Sequence, residues 1–197
     1  MKNFFRKHIK QIKDYDKIAG IGEIARRYFA MNSFDGVLTI LGILIGSYFG
    51  GIRQANIIIS AGLGASIALM VSGLWGTYLT EQAERTKSLK ELEGSILIKL
   101  GKTDIGKASR FATRIVALIN GLSPFIGGII VLTPFFFSKF FNNIENAYYA
   151  SGCIAFAILF LLGSFLGKIS KESLIKTGLK MILAGIVCAL LGWLVIR

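Results

Sequence analysis

Apolar residues fill five long stretches of the chain, and most charged residues lie between them. The stretches cover about residues 34–51, 56–80, 111–137, 147–167 and 181–196. An 18-residue helix rises about 27 Å, close to the hydrocarbon thickness of a bilayer, so stretches of this kind are typical of membrane-spanning helices. A soluble helical core would need polar faces, which these stretches lack. The pattern therefore predicts an all-α, polytopic membrane protein with five transmembrane helices.

The polar segments complete the predicted organisation of the chain. Residues 1–33 form a basic leader in which isoleucines recur at helical spacing, so we expect an amphipathic helix on the cytoplasmic membrane surface. Transmembrane helices 1 and 2 occupy residues 34–80. A short cytoplasmic helical segment follows at 81–110, and helices 3 to 5 occupy 111–197.

The distribution of charge predicts the orientation of these helices. The net charge is +12, which in a soluble protein would favour nucleic acid as a partner. Here 20 of the 23 basic residues lie at 1–33, 81–114 and 168–180, which five helices place on one side of the membrane. Because basic residues favour the cytoplasmic side, we predict a cytoplasmic N-terminus and a C-terminus on the opposite side. Membrane lipid is then the expected partner of the basic segments, and nucleic acid is not.

The sequence contains none of the common motifs of soluble enzymes. It has no GxSxG, no P-loop and no HExxH, and its single histidine, His8, excludes a His-rich zinc site. We therefore predict a protein that is not an enzyme and holds no cofactor.

Asp35 is the one acid within the five apolar stretches. If Ser33 capped the first helix, Asp35 would lie in its first turn, where the helix dipole favours an anion by about 0.3–1 kcal/mol. Alternatively, a carboxylate at membrane depth, which costs about 2.5–3.5 kcal/mol at the bilayer centre, marks the path of an ion or proton.

Two further positions add candidate chemistry. The second stretch carries the thioether of Met70, and sulfur together with carboxylate suits a transition metal better than magnesium or calcium, although methionine is more often a packing residue. In the third stretch, Pro124 frees the carbonyl of Asn120, which produces a kink or a polar point on a solute path. Glycines four apart, such as Gly163 and Gly167, allow close helix packing, either within one chain or across a dimer interface.

The first two stretches resemble those of the vacuolar iron transporter family. The resemblance lies in "GEIARRYFAMNSFDGVLTILGILIG" and "IIISAGLGASIALMVSGLWGTYLTEQAER", and it continues through "LSPFIGGIIVLTPFFF" to cover residues 22–195. It implies a homodimer with a metal path at the subunit interface, which moves ferrous iron or manganese out of the cytoplasm against protons. Asp35 matches the family's aspartate on this path, and Glu23 resembles the glutamate that precedes it. Met70 lies near the family's second-span methionine, although strict alignment puts Gly73 at that position.

Two departures separate the chain from the family's pattern. Thr77 stands where many members carry a glutamate beside the second-span tyrosine. Members with a cytoplasmic metal-binding domain insert a long, glutamate-rich segment between spans two and three, whereas segment 81–110 is short and basic on balance. The acids of this segment either form a smaller metal site than that of the family or pair with neighbouring lysines. They include Glu81, Glu84, Glu91 and Glu93.

These observations predict a dimeric membrane transporter that exports Fe²⁺ or Mn²⁺ from the cytoplasm, by proton antiport, with Asp35 as its main carboxylate. The alternative is a divergent relative that moves another solute or acts as a membrane scaffold without transport. The basic segment 81–110 and Thr77 favour this alternative.

Overall fold

Five long helices make up almost all of the structure, a computed structural model that describes residues 14–196. The leader's first 13 residues, on which most of the predicted amphipathic helix falls, lie outside the described residues. After a helical segment at 14–19, the helices follow in chain order: α1 (Ile21–Phe49), α2 (Ala55–Ile96), α3 (Asp104–Phe136), α4 (Ile144–Ser170) and α5 (Leu174–Ile196). Each is long and apolar enough to cross a membrane, and residues 14–196 contain no strand. The predicted all-α, polytopic fold is confirmed.

The start of α1 differs from the boundary that hydropathy indicated. Gly20 adopts a positive φ of 60°, and the carboxylate of Asp16 accepts a hydrogen bond of 2.6 Å from the Gly22 amide. These two features begin the helix at Ile21, so the end of the leader and the first apolar stretch form one continuous helix. The alternative in which Ser33 caps this helix is wrong, because Ser33 is a buried residue in the helix interior.

The described residues pack into two compact units. The first contains residues 14–29 and 71–122, and the second contains 30–70 and 123–196. In the first unit, Ile21 of α1 packs with Ala112 and Val116 of α3, and the rings of Tyr15 and Phe111 lie 5.6 Å apart. This small core packs the start of α1 against the first half of α3.

The second unit contains the larger apolar core. Its fully buried side chains come from four helices and include Ile40, Ile58, Phe135 and Leu159. The Tyr148 hydroxyl donates a 2.9 Å hydrogen bond to the Ile52 carbonyl, which ties α4 to the link between α1 and α2. This buried tyrosine therefore stabilises the packing of the second unit near the end of α1.

Glycines on α4 allow it to pack closely against α5. A Cβ added at Gly163 would lie 2.5 Å from the Thr177 carbonyl oxygen and 2.7 Å from the Gly178 Cα. At Gly167 an added Cβ would overlap the Thr177 hydroxyl. Of the two alternatives for this glycine pair, packing within the chain is the one observed. The opposite side of α5 stays exposed, with Leu194 69% accessible, as expected for a lipid-facing helix.

Candidate transport site

Asp35 lies in the middle of α1, within the second unit. Its backbone carbonyl accepts a 2.8 Å hydrogen bond from the Thr39 hydroxyl, but its carboxylate has no hydrogen bond or ion pair with any of residues 14–196. The residue is exposed on the surface of the unit. Helix-capping amides therefore do not explain this acid, and no basic side chain among residues 14–196 neutralises its charge.

Gly36, the next residue, fixes the position of Asp35 by bringing α1 against α3. A Cβ at Gly36 would overlap the Pro124 carbonyl oxygen and would lie 2.6 Å from the Pro124 Cα. Nearby, a Cβ at Gly127 would lie 3.2 Å from the Ser33 carbonyl oxygen. The two helices thus meet backbone to backbone on one side of α1, while Asp35 is exposed.

The family resemblance also makes Met70 and Glu23 candidates. Met70 is half-buried on α2 in the second unit. Glu23 is exposed in the first turn of α1, in the first unit, where the helix dipole favours a negative charge. Within residues 14–196, no three His, Cys, Asp or Glu side chains lie close enough together to hold a metal ion.

Asn120 joins α2 and α3 in the first unit through its side chain. Its amide nitrogen donates a 3.0 Å hydrogen bond to the Gly73 carbonyl and a second hydrogen bond to the Thr77 hydroxyl. Asn120 and Thr77 are both buried, at 6% and 7% exposure. A Cβ at Gly73 would lie 3.2 Å from both the Asn120 carbonyl oxygen and the Gly121 Cα, so the two backbones are nearly in contact.

This cluster occupies the positions where the family resemblance places second-span ligands. In that resemblance, Gly73 takes the place of a methionine and Thr77 the place of a glutamate. Instead of a thioether and a carboxylate, the structure places there the N–H donors of Asn120 and a close helix contact. In this arrangement the Asn120 side chain acts as an interhelical clamp between α2 and α3, and the assignment of Thr77 and Asn120 to a metal path stays a prediction.

The acids of segment 81–110 are dispersed. Glu81 forms a 2.9 Å ion pair with Arg85, and both side chains are largely buried. Glu93 accepts a 2.6 Å hydrogen bond from the Leu100 amide, which closes the turn between α2 and α3. Glu84 and Glu91 are exposed. The structure does not bring these four glutamates together, and for Glu81 the pairing with a basic neighbour is the observed arrangement.

Sequence reasoning missed the contacts that link distant positions. The contact of Gly36 with Pro124 depends on a second helix, so the sequence around Gly36 does not predict it. The same holds for Gly73 and Gly121. Glycine inside an apolar helix was the available signal, because it marks positions where another backbone can approach.

Comparison with known proteins finds one family model and a relative of similar length. A family model described as the VIT family matches residues 99–197, which is half of the chain and contains α3, α4 and α5. The uncharacterized protein MJ0645 of Methanocaldococcus jannaschii is 38% identical over 177 residues, which cover 88% of this chain and 90% of that protein. The family match does not include α1, so the role of Asp35 depends on the geometry of that helix.

Proposed function

The chain belongs to the vacuolar iron transporter (VIT) family, and from this premise we propose that it exports a divalent transition metal, ferrous iron or manganese, from the cytoplasm. Its five membrane-length helices and its family make it a multi-pass membrane transporter. The metal, the coupling to protons, the homodimer and the orientation of the termini belong to the proposal.

The observation that carries the proposal is the exposed carboxylate of Asp35 at the start of the apolar stretch of α1. An ionised side chain in a membrane-spanning helix costs free energy, up to about 2.5–3.5 kcal/mol at the bilayer centre, and no ion pair within residues 14–196 offsets this cost. A bound cation offsets it directly. Since carboxylate oxygens bind divalent metals, Asp35 is the residue we assign to the metal path.

A homodimer would give Asp35 its missing partners. Gly42 lies two turns after Asp35 on the same face of α1, and a Cβ added there would meet nothing within 4 Å. A small residue on an open helix face allows a second helix to approach closely in lipid. Two copies that meet along this face would bring two Asp35 carboxylates near the twofold axis, where together they could hold one divalent ion.

Proton exchange at Asp35 supplies a mechanism for release. In the deprotonated form the carboxylate binds the cation that enters from the cytoplasm. Protonation from the opposite side removes the negative charge, so the cation leaves and a proton takes its place. The basic segments on one side of the helices support a cytoplasmic N-terminus for this cycle.

Metal flux in proteoliposomes tests the role of Asp35. Asp35→Asn keeps the shape of the side chain and removes its charge, so we expect flux of Mn²⁺ and Fe²⁺ to be lost. Asp104→Asn is the matched control, because Asp104 is an exposed acid (78%) at the start of α3. An imposed pH gradient should accelerate flux of the unsubstituted protein. Normal flux in Asp35→Asn would remove this residue from the mechanism.

One observation favours the alternative, a relative that moves another solute or acts as a scaffold. Gly73 and Thr77 stand where the family resemblance expects a methionine and a glutamate, so a thioether and a carboxylate are missing from α2. The Asn120 side chain fills the space between α2 and α3. Metal analysis of the purified protein, with thermal unfolding in Mn²⁺ or Fe²⁺, separates the two functions. A metal present at about 100 times its Kd stabilises the folded state by about 2.7 kcal/mol. The alternative predicts no shift with any divalent metal.

A further inference from the structure

A small polar cavity lies between α2 and α3 in the first unit. Tyr78 and Gln82 line it from α2, and Arg110, Thr113 and Arg114 line it from α3. Residues four apart on a helix share one face, so each helix presents its polar pair to the same space. The cavity has a volume of about 70 Å³. A single water needs about 10–15 Å³ of such space, so there is room for about five heavy atoms.

The cavity carries two guanidinium groups and is lined by no acid. Arg110 donates one N–H to the Gly101 carbonyl at 2.9 Å, and a guanidinium has five N–H donors, so most of its donors remain. No ion pair joins Arg110 or Arg114 to an acid within residues 14–196, whereas Arg85 on α2 is paired with Glu81 at 2.9 Å. Positive charge is therefore concentrated here without a described counterion.

We propose that this cavity binds a phosphate group. Guanidinium groups bind phosphate oxygens through two parallel hydrogen bonds, and two such groups here lie one helical turn apart. The Gln82 amide and the Tyr78 hydroxyl add neutral donors from the facing helix. A phosphate group has five heavy atoms, which matches the room in the cavity, and its charge offsets the repulsion between Arg110 and Arg114.

The position of the cavity along α3 identifies two sources for the phosphate. Arg110 and Arg114 flank the start of the third apolar stretch, at residue 111, which is the level of lipid headgroups on the side with the basic segments. Anionic headgroups bind to basic pockets between transmembrane helices at this depth. The phosphate therefore comes from an anionic lipid or from the aqueous phase, and in either case it bridges α2 and α3.

Binding measurements on the full-length protein in a neutral detergent test the proposal. One arm counts bound phosphatidylglycerol by native mass spectrometry, with phosphatidylcholine as the reference lipid. The other arm measures thermal stabilisation by inorganic phosphate against chloride at equal ionic strength. We expect Arg110→Gln with Arg114→Gln to weaken binding by about tenfold or more, since several charge-assisted hydrogen bonds are lost. Lys107→Gln removes one charge from the same helix outside the cavity and should bind as the unsubstituted protein does.

The outcomes separate a built site from a diffuse basic surface. Binding of phosphatidylglycerol alone assigns the cavity to a lipid headgroup, and binding of inorganic phosphate with the same variant dependence assigns it to free phosphate. The double variant Tyr78→Phe with Gln82→Ala keeps both arginines and provides the test if the arginine variant does not fold. This double variant should also weaken binding. Binding of neither probe would overturn the proposal, and so would binding that is unchanged in both double variants. If the Tyr78 and Gln82 variant bound fully while the arginine variant lost binding, the phosphate would bind to a basic surface and not in the cavity. That outcome would also overturn the proposal.

Discussion

Gly36 is the position where the packing of α1 against α3 can be tested most directly. A Cβ at this residue would lie 2.6 Å from the Pro124 Cα and 2.7 Å from the Pro124 carbonyl carbon. Ordinary contacts of a Cβ begin at 3.4 Å, so Gly36→Ala is about 0.8 Å short of the space it needs at the Pro124 Cα, and the Pro124 carbonyl oxygen lies closer still. The obstructing atoms are backbone atoms, which cannot rotate away as the end of a flexible side chain can.

The expected loss of stability is the difference of two opposing terms. Overpacking of a close-packed contact costs about 1–3 kcal/mol, and a rigid obstacle favours the upper part of that range. Alanine in a helix gains up to about 1 kcal/mol over glycine. We therefore expect Gly36→Ala to lower the free energy of unfolding by about 1–2 kcal/mol. At Gly42, on the same helix, an added Cβ would meet nothing within 4 Å. Gly42→Ala therefore has only the favourable helix propensity of alanine, and its free energy of unfolding should be unchanged or slightly higher.

Unfolding of the two variants by SDS in mixed micelles measures this difference. Metal flux in proteoliposomes provides a second measurement, because separation of α1 from α3 would also displace Asp35, the neighbour of Gly36. The reasoning would be refuted if Gly36→Ala were as stable as Gly42→Ala, since α1 and α3 would then not meet through their backbones. A weaker dimer in Gly42→Ala, with normal stability, would instead support an interface on the open face of α1.

Two further predictions concern the first unit. Asn120→Ala removes two buried hydrogen bonds, to Gly73 and Thr77. Interhelical hydrogen bonds in membranes contribute about 0.6 kcal/mol each and at most about 1.7. Unfolding in SDS should therefore show a free energy of unfolding lower by about 1–3 kcal/mol, and an unchanged value would contradict the clamp. Arg85→Gln leaves the largely buried Glu81 without its partner, so this variant should be less stable than the double variant Arg85→Gln with Glu81→Gln, as a double-mutant cycle would show.

Hydropathy predicted the number and type of the helices because it measures which residues belong in lipid. It did not predict where helices begin and end, since those points depend on hydrogen bonds and backbone angles. The start of α1 at Ile21 follows from Asp16 and Gly20, both outside the apolar stretch. Similarly, α2 continues without interruption from the second apolar stretch to Ile96.

The candidate site was predicted in part, and the division has a physical reason. Asp35 could be found from sequence because a lone acid in an apolar stretch is a local anomaly. Asn120 was singled out for its backbone carbonyl, which Pro124 leaves without a helical donor, whereas the hydrogen bonds observed between the helices are made by its side-chain amide. Those contacts join residues more than 40 positions apart, and no local pattern encodes them.

The residues at positions 73, 77 and 120 therefore depend on one another. A small residue at Gly73 lets α2 approach Gly121, and this approach brings the Asn120 amide within reach of Thr77. A methionine at position 73 would separate the helices, and a glutamate at position 77 would need the space that the Asn120 side chain fills. Packing at Gly73 and the hydrogen bonds of Asn120 thus stabilise the contact between α2 and α3 together. In the proposed transport function, Asp35 is the carboxylate on which we expect metal binding to depend, so the charge of that residue is the variable to test.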